Sequence, residues 1–323
     1  MTIPVTAIRS RGVFKWGAPE GSLGREHSAV SDPTLLLGVD GGATLCRARL
    51  QAMSGDLLGE AMAGPANIRL GLQQSFSSVL EATTQCLRQA GLAPGDLARI
   101  VACLALAGAS EPGALAQAQQ HGHPFRKAMI TTDARAACIG AHGGRDGGVL
   151  VVGTGTVGWA ELAGRSHCVG GWGPAVSDEG GGAWLGCEAL RRVLWAGDGR
   201  IPWTPLLTAV FEQYEADPHA IVSWTSAAPP RDFGALAPVI VEHASNGDPA
   251  AVELMRLAAG HIDGLAQRLM SIGAQRLSLV GGLSLHIERW LAPATRLHLV
   301  PRSGDAVEGA LQLARAAAAS MAA

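Results

Sequence analysis

Short apolar runs that stop at glycine-rich turns set the pattern of this chain. Leu35–Leu37 and Val39 lead into Asp40-Gly41-Gly42-Ala43-Thr44, and Val149–Val152 lead into Gly153-Thr154-Gly155-Thr156. A third run, Leu277–Val280, leads into Gly281-Gly282. Runs this short, bounded by glycine, predict buried strands. After the first turn, Cys46, Ala48 and Leu50 alternate with Arg47 and Arg49, which predicts a second strand. Glu60–Ala63 predict a third, ending at Gly64-Pro65. The period then changes. Phe76, Val79, Leu80, Thr83 and Leu87 fall on one face of a helix expected over 72–90, with Gly91 as its C-terminal stop. Ile100–Leu106 and Ala128–Thr132 read as further buried strands. The second of these passes through Asp133 into an alanine-rich helix closed by Gly143-Gly144.

The order then restarts: a strand at 149–152, a glycine turn, and a returning strand over Trp159–Leu162. Helices are expected at about 179–196 and 203–216, and over most of 231–270 with a break at Asn246-Gly247-Asp248-Pro249. A strand at 277–280 and a helix at 306–318 follow, with Asp305 close to the start of that helix. Two rounds of strand, glycine turn and strand predict a duplicated α/β fold with two similar lobes. The expected division is 34–143 and 144–323, with the C-terminal helix packing back on the first lobe. Residues 1–33 scatter Arg9, Arg11, Lys15 and Arg25 among Gly, Ser and Pro without an apolar segment. They predict a mobile extension or an overlong gene start, with Val30 as a start-codon candidate, and not a signal peptide.

Composition narrows the partners. Of the 323 residues, 48% are hydrophobic, which is enough for a large core. The net charge is −2 and no basic stripe appears, so nucleic acid is not an expected partner. No apolar run reaches membrane-spanning length. The six cysteines form no C-x-x-C pair and read as small buried residues in a reducing cytoplasm.

Glycine and threonine at strand ends bring backbone N–H groups and hydroxyls to phosphate oxygens. A P-loop is excluded, because Lys15 and Lys127 are the only lysines and neither lies in a glycine-rich loop. Gly153-Thr-Gly155-Thr-Val-Gly158 fits the G-x-G-x-x-G spacing, but a strand follows it where a dinucleotide site requires a helix. Asp133, between a strand and a helix, suits either a helix cap or a carboxylate that accepts a proton. Asn67 after Gly-Pro, Asp178 before a helix and Trp172 among glycines likewise suit structural or sugar-binding roles. His121 and His123 flank Gly122 in a polar stretch and read as a surface loop.

The ordered set Asp40–Thr44, Thr132-Asp133-Ala134, Gly153–Thr156, Gly170-Gly171-Trp172-Gly173, Ser177–Gly180 and Gly281-Gly282 resembles the amino-sugar kinases of the BadF/BadG/BcrA/BcrD ATPase family. That family lies within the actin/hexokinase-like superfamily. Pro65-Ala66-Asn67-Ile68 and Pro230-Arg231-Asp232-Phe233-Gly234 resemble its glucosamine kinases, whereas Gly170–Gly173 resemble its N-acetylglucosamine kinases. The resemblance implies a duplicated actin-like ATPase fold and ATP bound with Mg²⁺ in the cleft between lobes. It implies that Gly41, Gly42, Thr44, Thr154 and Gly155 hold the phosphates, and that Gly281 and Gly282 lie along the adenosine. Asp40 would place Mg²⁺ through water. Asp133 would be the catalytic base and touch the sugar together with Asn67, Gly171, Trp172, Gly173 and Asp178. The implied reaction is phosphorylation of the 6-hydroxyl of an amino sugar, glucosamine ahead of N-acetylglucosamine. The implied setting is cytoplasmic, with a homodimer as the common assembly of similar families. Two other classes keep the same fold: a sugar sensor without turnover, and an ATPase subunit that drives a partner enzyme. The second class uses cluster-ligating cysteines, and none stands beside the glycine motifs here.

Overall fold

The computed structural model describes residues 34–322; the expected N-terminal extension lies outside the described residues. Leu35, Leu36, Leu37 and Val39 are almost fully enclosed and make β1 (Leu35–Gly41) the centre of a five-stranded sheet. β2 (Cys46–Ala52) and β3 (Leu57–Ala63) add antiparallel on one side. β4 (Ile100–Leu106) and β5 (Lys127–Thr131) add parallel on the other. Because side chains alternate across a strand, the two faces of β1 build two cores. Leu35, Leu37 and Val39 pack with Phe76, Val79 and Cys86 of α1 (Leu72–Gln89), while Leu36 faces the opposite way. α2 (Pro112–Gln120) lies before β5, and α3 (Asp133–His142) leaves it.

The second sheet repeats the scheme. β6 (Gly147–Val152), β7 (Thr156–Leu162) and β8 (Arg165–Gly170) form an antiparallel meander, and β9 (Leu277–Val280) joins β6 in parallel. An isolated parallel bridge from Leu277 to Leu299 stands where the fifth strand would be. Between β8 and β9 run α4 (Gly182–Gly197), α5 (Pro205–Glu212), α6 (Pro218–Thr225), α7 (Pro230–Gly234), α8 (Ala237–Ser245) and α9 (Pro249–Ser271). α10 (Ser284–Ile287) and α11 (Pro293–Arg296) follow β9, and α12 (Ala306–Ala322) ends the described chain. The helix starts are chemically marked. Asp248 accepts the Ala251 N–H at 3.0 Å ahead of Pro249, so α9 begins with both a cap and a preset φ. Among the described residues, no helix is long and apolar enough to cross a membrane.

The last helix of each sheet packs on the other sheet. α3 buries Cys138 and Ala141 against Val149 and Val280 of the second sheet. α12 buries Ala310, Leu311 and Ala314 against Leu36, Val101 and Cys103 of the first. The two helices cross backbone to backbone. A Cβ on Gly140 would collide with the Asp305 carbonyl, and one on Gly309 with the Ala136 carbonyl. Only glycine permits this approach.

The duplicated two-lobed architecture meets the expectation, with local differences. β8 exposes a polar edge, Ser166 and Cys168, so it carries no alternating signal. α2 buries only Ala118 and is faintly amphipathic. α4 starts at Gly182, not 179, because Asp178 and Gly180 hold φ of +65° and +84° and break the helical path. The helix expected at 203–216 is confined to Pro205–Glu212. Cys46, Cys86, Cys103 and Cys138 are buried as expected, but Cys187 is half-buried and Cys168 is exposed. That correction follows from the place of Cys168 on the edge strand.

Candidate active site

The first glycine turn closes the β1–β2 hairpin. The Gly42 N–H donates to the Leu45 carbonyl at 2.9 Å, and Thr44 is exposed at the tip. Gly41 is buried; a Cβ there would lie 2.7 Å from the Leu106 side chain and 2.8 Å from Ala66. The second turn closes β6–β7, with the Gly153 N–H donating to the Gly155 carbonyl at 2.9 Å and Thr154 exposed. The carbonyls of Gly153 and Thr154 accept the N–H groups of Gly182 and Ala183 at 2.8 and 2.9 Å, which ties this turn to the start of α4. Gly281, at φ +99°, and Gly282 follow β9. The Leu283 N–H donates to the Val152 carbonyl at 3.0 Å, so the third turn lies beside the second.

Asp133 is the first residue of α3, but it is not the cap. Thr132 accepts the Arg135 N–H on its hydroxyl at 3.1 Å and takes that role. One Asp133 oxygen accepts the Ala134 N–H at 2.9 Å. Burial, and then the charge of Asp40, push the Asp133 carboxyl up to about 6. Asp40 is the penultimate residue of β1, and its carboxylate accepts from Arg47 at 2.7 Å. Both acids line one cavity of about 180 Å³ with Arg47, Gly281, Arg302 and Asp305. That cavity draws on both sheets and on both crossing helices. Among the described residues no group of three or more His, Cys, Asp or Glu side chains forms a metal cage. Asp40 and Asp133 instead offer two hard oxygen donors, the set that suits Mg²⁺ held through waters and substrate phosphates.

A second cluster lies at the mouth between lobes. Asp178 accepts the Gly173 N–H at 3.2 Å, and its other oxygen presses where a Cβ of Gly155 would stand. Burial pushes its carboxyl above the usual range, with the Gly173 hydrogen bond pulling the other way. A left-handed φ on a non-glycine residue stores strain, and Asp tolerates it better than most. From the other lobe, Asn67 accepts the Arg69 N–H at 3.0 Å. Arg69 reaches to 3.7 Å from where a Cβ of Gly173 would stand, and pairs with Glu111 at 3.7 Å. Gly171 and Gly173 take φ of +74° and +102°, and Trp172 between them is 75% exposed, so it is not a core residue.

The structure therefore gathers Asp40, Asp133 and Gly281 at one cavity, and Gly155, Gly173 and Asp178 at another point of the cleft. The Asn67 side chain is bonded locally and not to Asp133 or Asp178. Sequence reasoning missed Arg47, Arg69, Arg302 and the pairing of Asp305. A signal for Asp305 did exist: Gly304-Asp305-Ala306 opens the final helix of the second lobe as Thr132-Asp133-Ala134 opens that of the first.

Comparison with known proteins follows the same lines. The model of the BadF/BadG/BcrA/BcrD ATPase family matches residues 37–296. The chain is 41% identical to glucosamine kinase GspK of Vibrio cholerae over 278 residues, 86% of this chain and 95% of that one. A crystal structure of a putative N-acetylglucosamine kinase from Chromobacterium violaceum superposes with a TM-score of 0.83 at 34% identity, covering 87% of this chain and 99% of that one. A ROK family glucokinase from Streptomyces griseus shares the fold alone, at a TM-score of 0.54 and 17% identity over 87% of this chain and 99% of that one. With its duplicated actin-like architecture and glycine turns, this chain belongs to the BadF/BadG/BcrA/BcrD ATPase family.

Proposed function

We propose that this protein is an ATP-dependent amino-sugar kinase that phosphorylates the 6-hydroxyl of glucosamine. The observation that carries the reading is Asp133, which lines one cavity with Asp40 and with Gly281 of the third glycine turn. The 41% identity to a glucosamine kinase over nearly its full length supports the substrate. Bound Mg-ATP would supply the γ-phosphoryl group and part of its charge neutralisation. The remaining work falls to this chain. Gly41, Gly42 and Thr44 would grip the phosphates from one lobe, and Thr154 and Gly155 from the other, through N–H groups and hydroxyls. Gly281 and Gly282 would border the adenosine, and Asp40 would face the cation through water.

Asn67, Asp178 and the Gly171–Gly173 segment with Trp172 would orient the sugar, and Asp133 would accept the proton of the attacking hydroxyl. A carboxyl near 6 is ionised at neutral pH yet basic enough to take that proton. The lobes would comprise 34–143 and 144–323, and their closure would exclude water and limit idle hydrolysis. Six free cysteines suit a reducing cytoplasm.

A second substrate, N-acetylglucosamine, is favoured by the likeness to the C. violaceum protein. ADP release in Mg-ATP with glucosamine, N-acetylglucosamine, glucose, N-acetylmannosamine or no sugar tests both. We expect the highest turnover with glucosamine and little without sugar. Equal ADP release with and without sugar would replace the kinase by an ATPase that drives a partner.

A further inference from the structure

Each lobe opens its last helix with an aspartate, and the mechanism above uses only Asp133. Its counterpart, Asp305, makes three contacts. One oxygen accepts the Glu308 N–H at 2.9 Å and caps α12. That same oxygen lies 3.6 Å from Arg49. The other accepts from Arg47 at 3.3 Å. The second terminal nitrogen of the same Arg47 guanidinium donates to Asp40 at 2.7 Å. One planar cation thus joins the carboxylate at the end of β1 to the carboxylate at the start of α12. Asp40 and Arg47 are also direct partners in the β1–β2 ladder. Strand pairing brings them together, but it does not fix the long arginine side chain, which is free to rotate about several bonds. A guanidinium bonded at both ends of its fork is fixed.

We propose that Asp305 is a positioning residue: through Arg47 it holds the Asp40 carboxylate toward the cavity shared with Asp133. The proposal rests on the kinase reading and on Asp40 facing Mg²⁺. Without Asp305, Arg47 is anchored at one end of its fork only and no longer fixes the direction of the Asp40 carboxylate. Outer partners of this kind typically change metal affinity or activity by about 10–100-fold.

Asp305 also caps a helix, and the test must separate the two roles. Asn and Ser cap about as well as Asp but cannot hold Arg47 by charge. The probes are Mg-ADP, and ADP in EDTA, titrated calorimetrically without sugar. For Asp305→Asn, Asp305→Ser and Arg47→Met we expect Mg-ADP affinity to fall about tenfold, with metal-free ADP affinity and Tm close to wild type. In assays with sugar, the Mg²⁺ concentration for half-maximal rate rises by a similar factor, while the sugar KM holds. The double variant Arg47→Met/Asp305→Asn falls no further than Arg47→Met, because the two act through one chain of contacts. Wild-type Mg-ADP affinity in Asp305→Asn, or additive losses in the double variant, would overturn the proposal. Should the Asp305 variants not fold, Arg47→Met carries the binding test with the cap intact. If the wild-type protein releases no ADP with any amino sugar, the kinase reading fails, and the binding titrations still decide the relay.

Discussion

At Asp133, a raised carboxyl has opposite consequences for rate and for stability. A base must be ionised to accept a proton, so kcat should fall as pH drops through about 6, read from a pH–rate profile at saturating substrates. For stability the sign reverses. The folded chain holds the Asp133 proton more tightly than the unfolded chain between the ordinary carboxylate range and about 6. Ionisation in that window therefore opposes folding, and the penalty persists at neutral pH. Asp133→Asn removes it. That variant should lose about 10²–10⁴ in kcat while Tm at pH 7 holds or rises. Near-wild-type turnover would remove the proton-accepting role. The place of Asp133 between a strand and a helix was legible in the sequence, but that order suits a helix cap equally, and the proton-accepting role was implied only by the family resemblance. The Arg47–Asp305 contact was not legible, since its partners lie 258 positions apart and nothing local links them.

Elements announced themselves when both of their faces were buried. β1, β4 and β9 are short apolar runs that end at polar or glycine residues, and their bounds follow from sequence. β8 and α2, which bury little, gave almost no pattern. The approach of α3 to α12 was equally silent, because a glycine in a helix reads only as a weak position. Substitution separates the two meanings. Gly260 in α9 has open space around a new Cβ, so Gly260→Ala should stabilise by up to about 1 kcal/mol through helix propensity. Gly140→Ala gains the same propensity but drives a methyl into the Asp305 carbonyl. Overpacking costs about 1–3 kcal/mol or more when backbone must move, so the net effect should be destabilising. Urea denaturation of both variants gives the comparison, and equal stabilisation of the two would refute the close crossing.

Across the whole molecule, the duplication and the return of the C-terminal helix to the first lobe were legible, but the reciprocal packing of α3 on the second sheet was not. Repeated strand order is a local pattern, whereas the seat of α3 depends on which apolar face is left uncovered after the second meander forms. Leu36, Val101, Cys103 and Ala105 are the corresponding face on the first sheet, and α12 covers it. The two lobes should therefore melt in one transition. A chain ending at residue 305 should lose amide hydrogen-exchange protection in both lobes, because it lacks the α12 packing against the first sheet and α3. Independent melting of an intact first lobe would contradict the shared packing.

The position of α12 also has a consequence for synthesis. Lobes of two-lobed proteins generally fold in order as they leave the ribosome. Here the helix that seals the first sheet is translated after every strand of the second sheet. Until it emerges, the nascent chain carries an open apolar face on an otherwise formed sheet, the kind of surface that holdase chaperones bind and that seeds aggregation. Yield in the cell should then depend on how long that face waits, and slow translation of the α4–α9 segment would lengthen the wait.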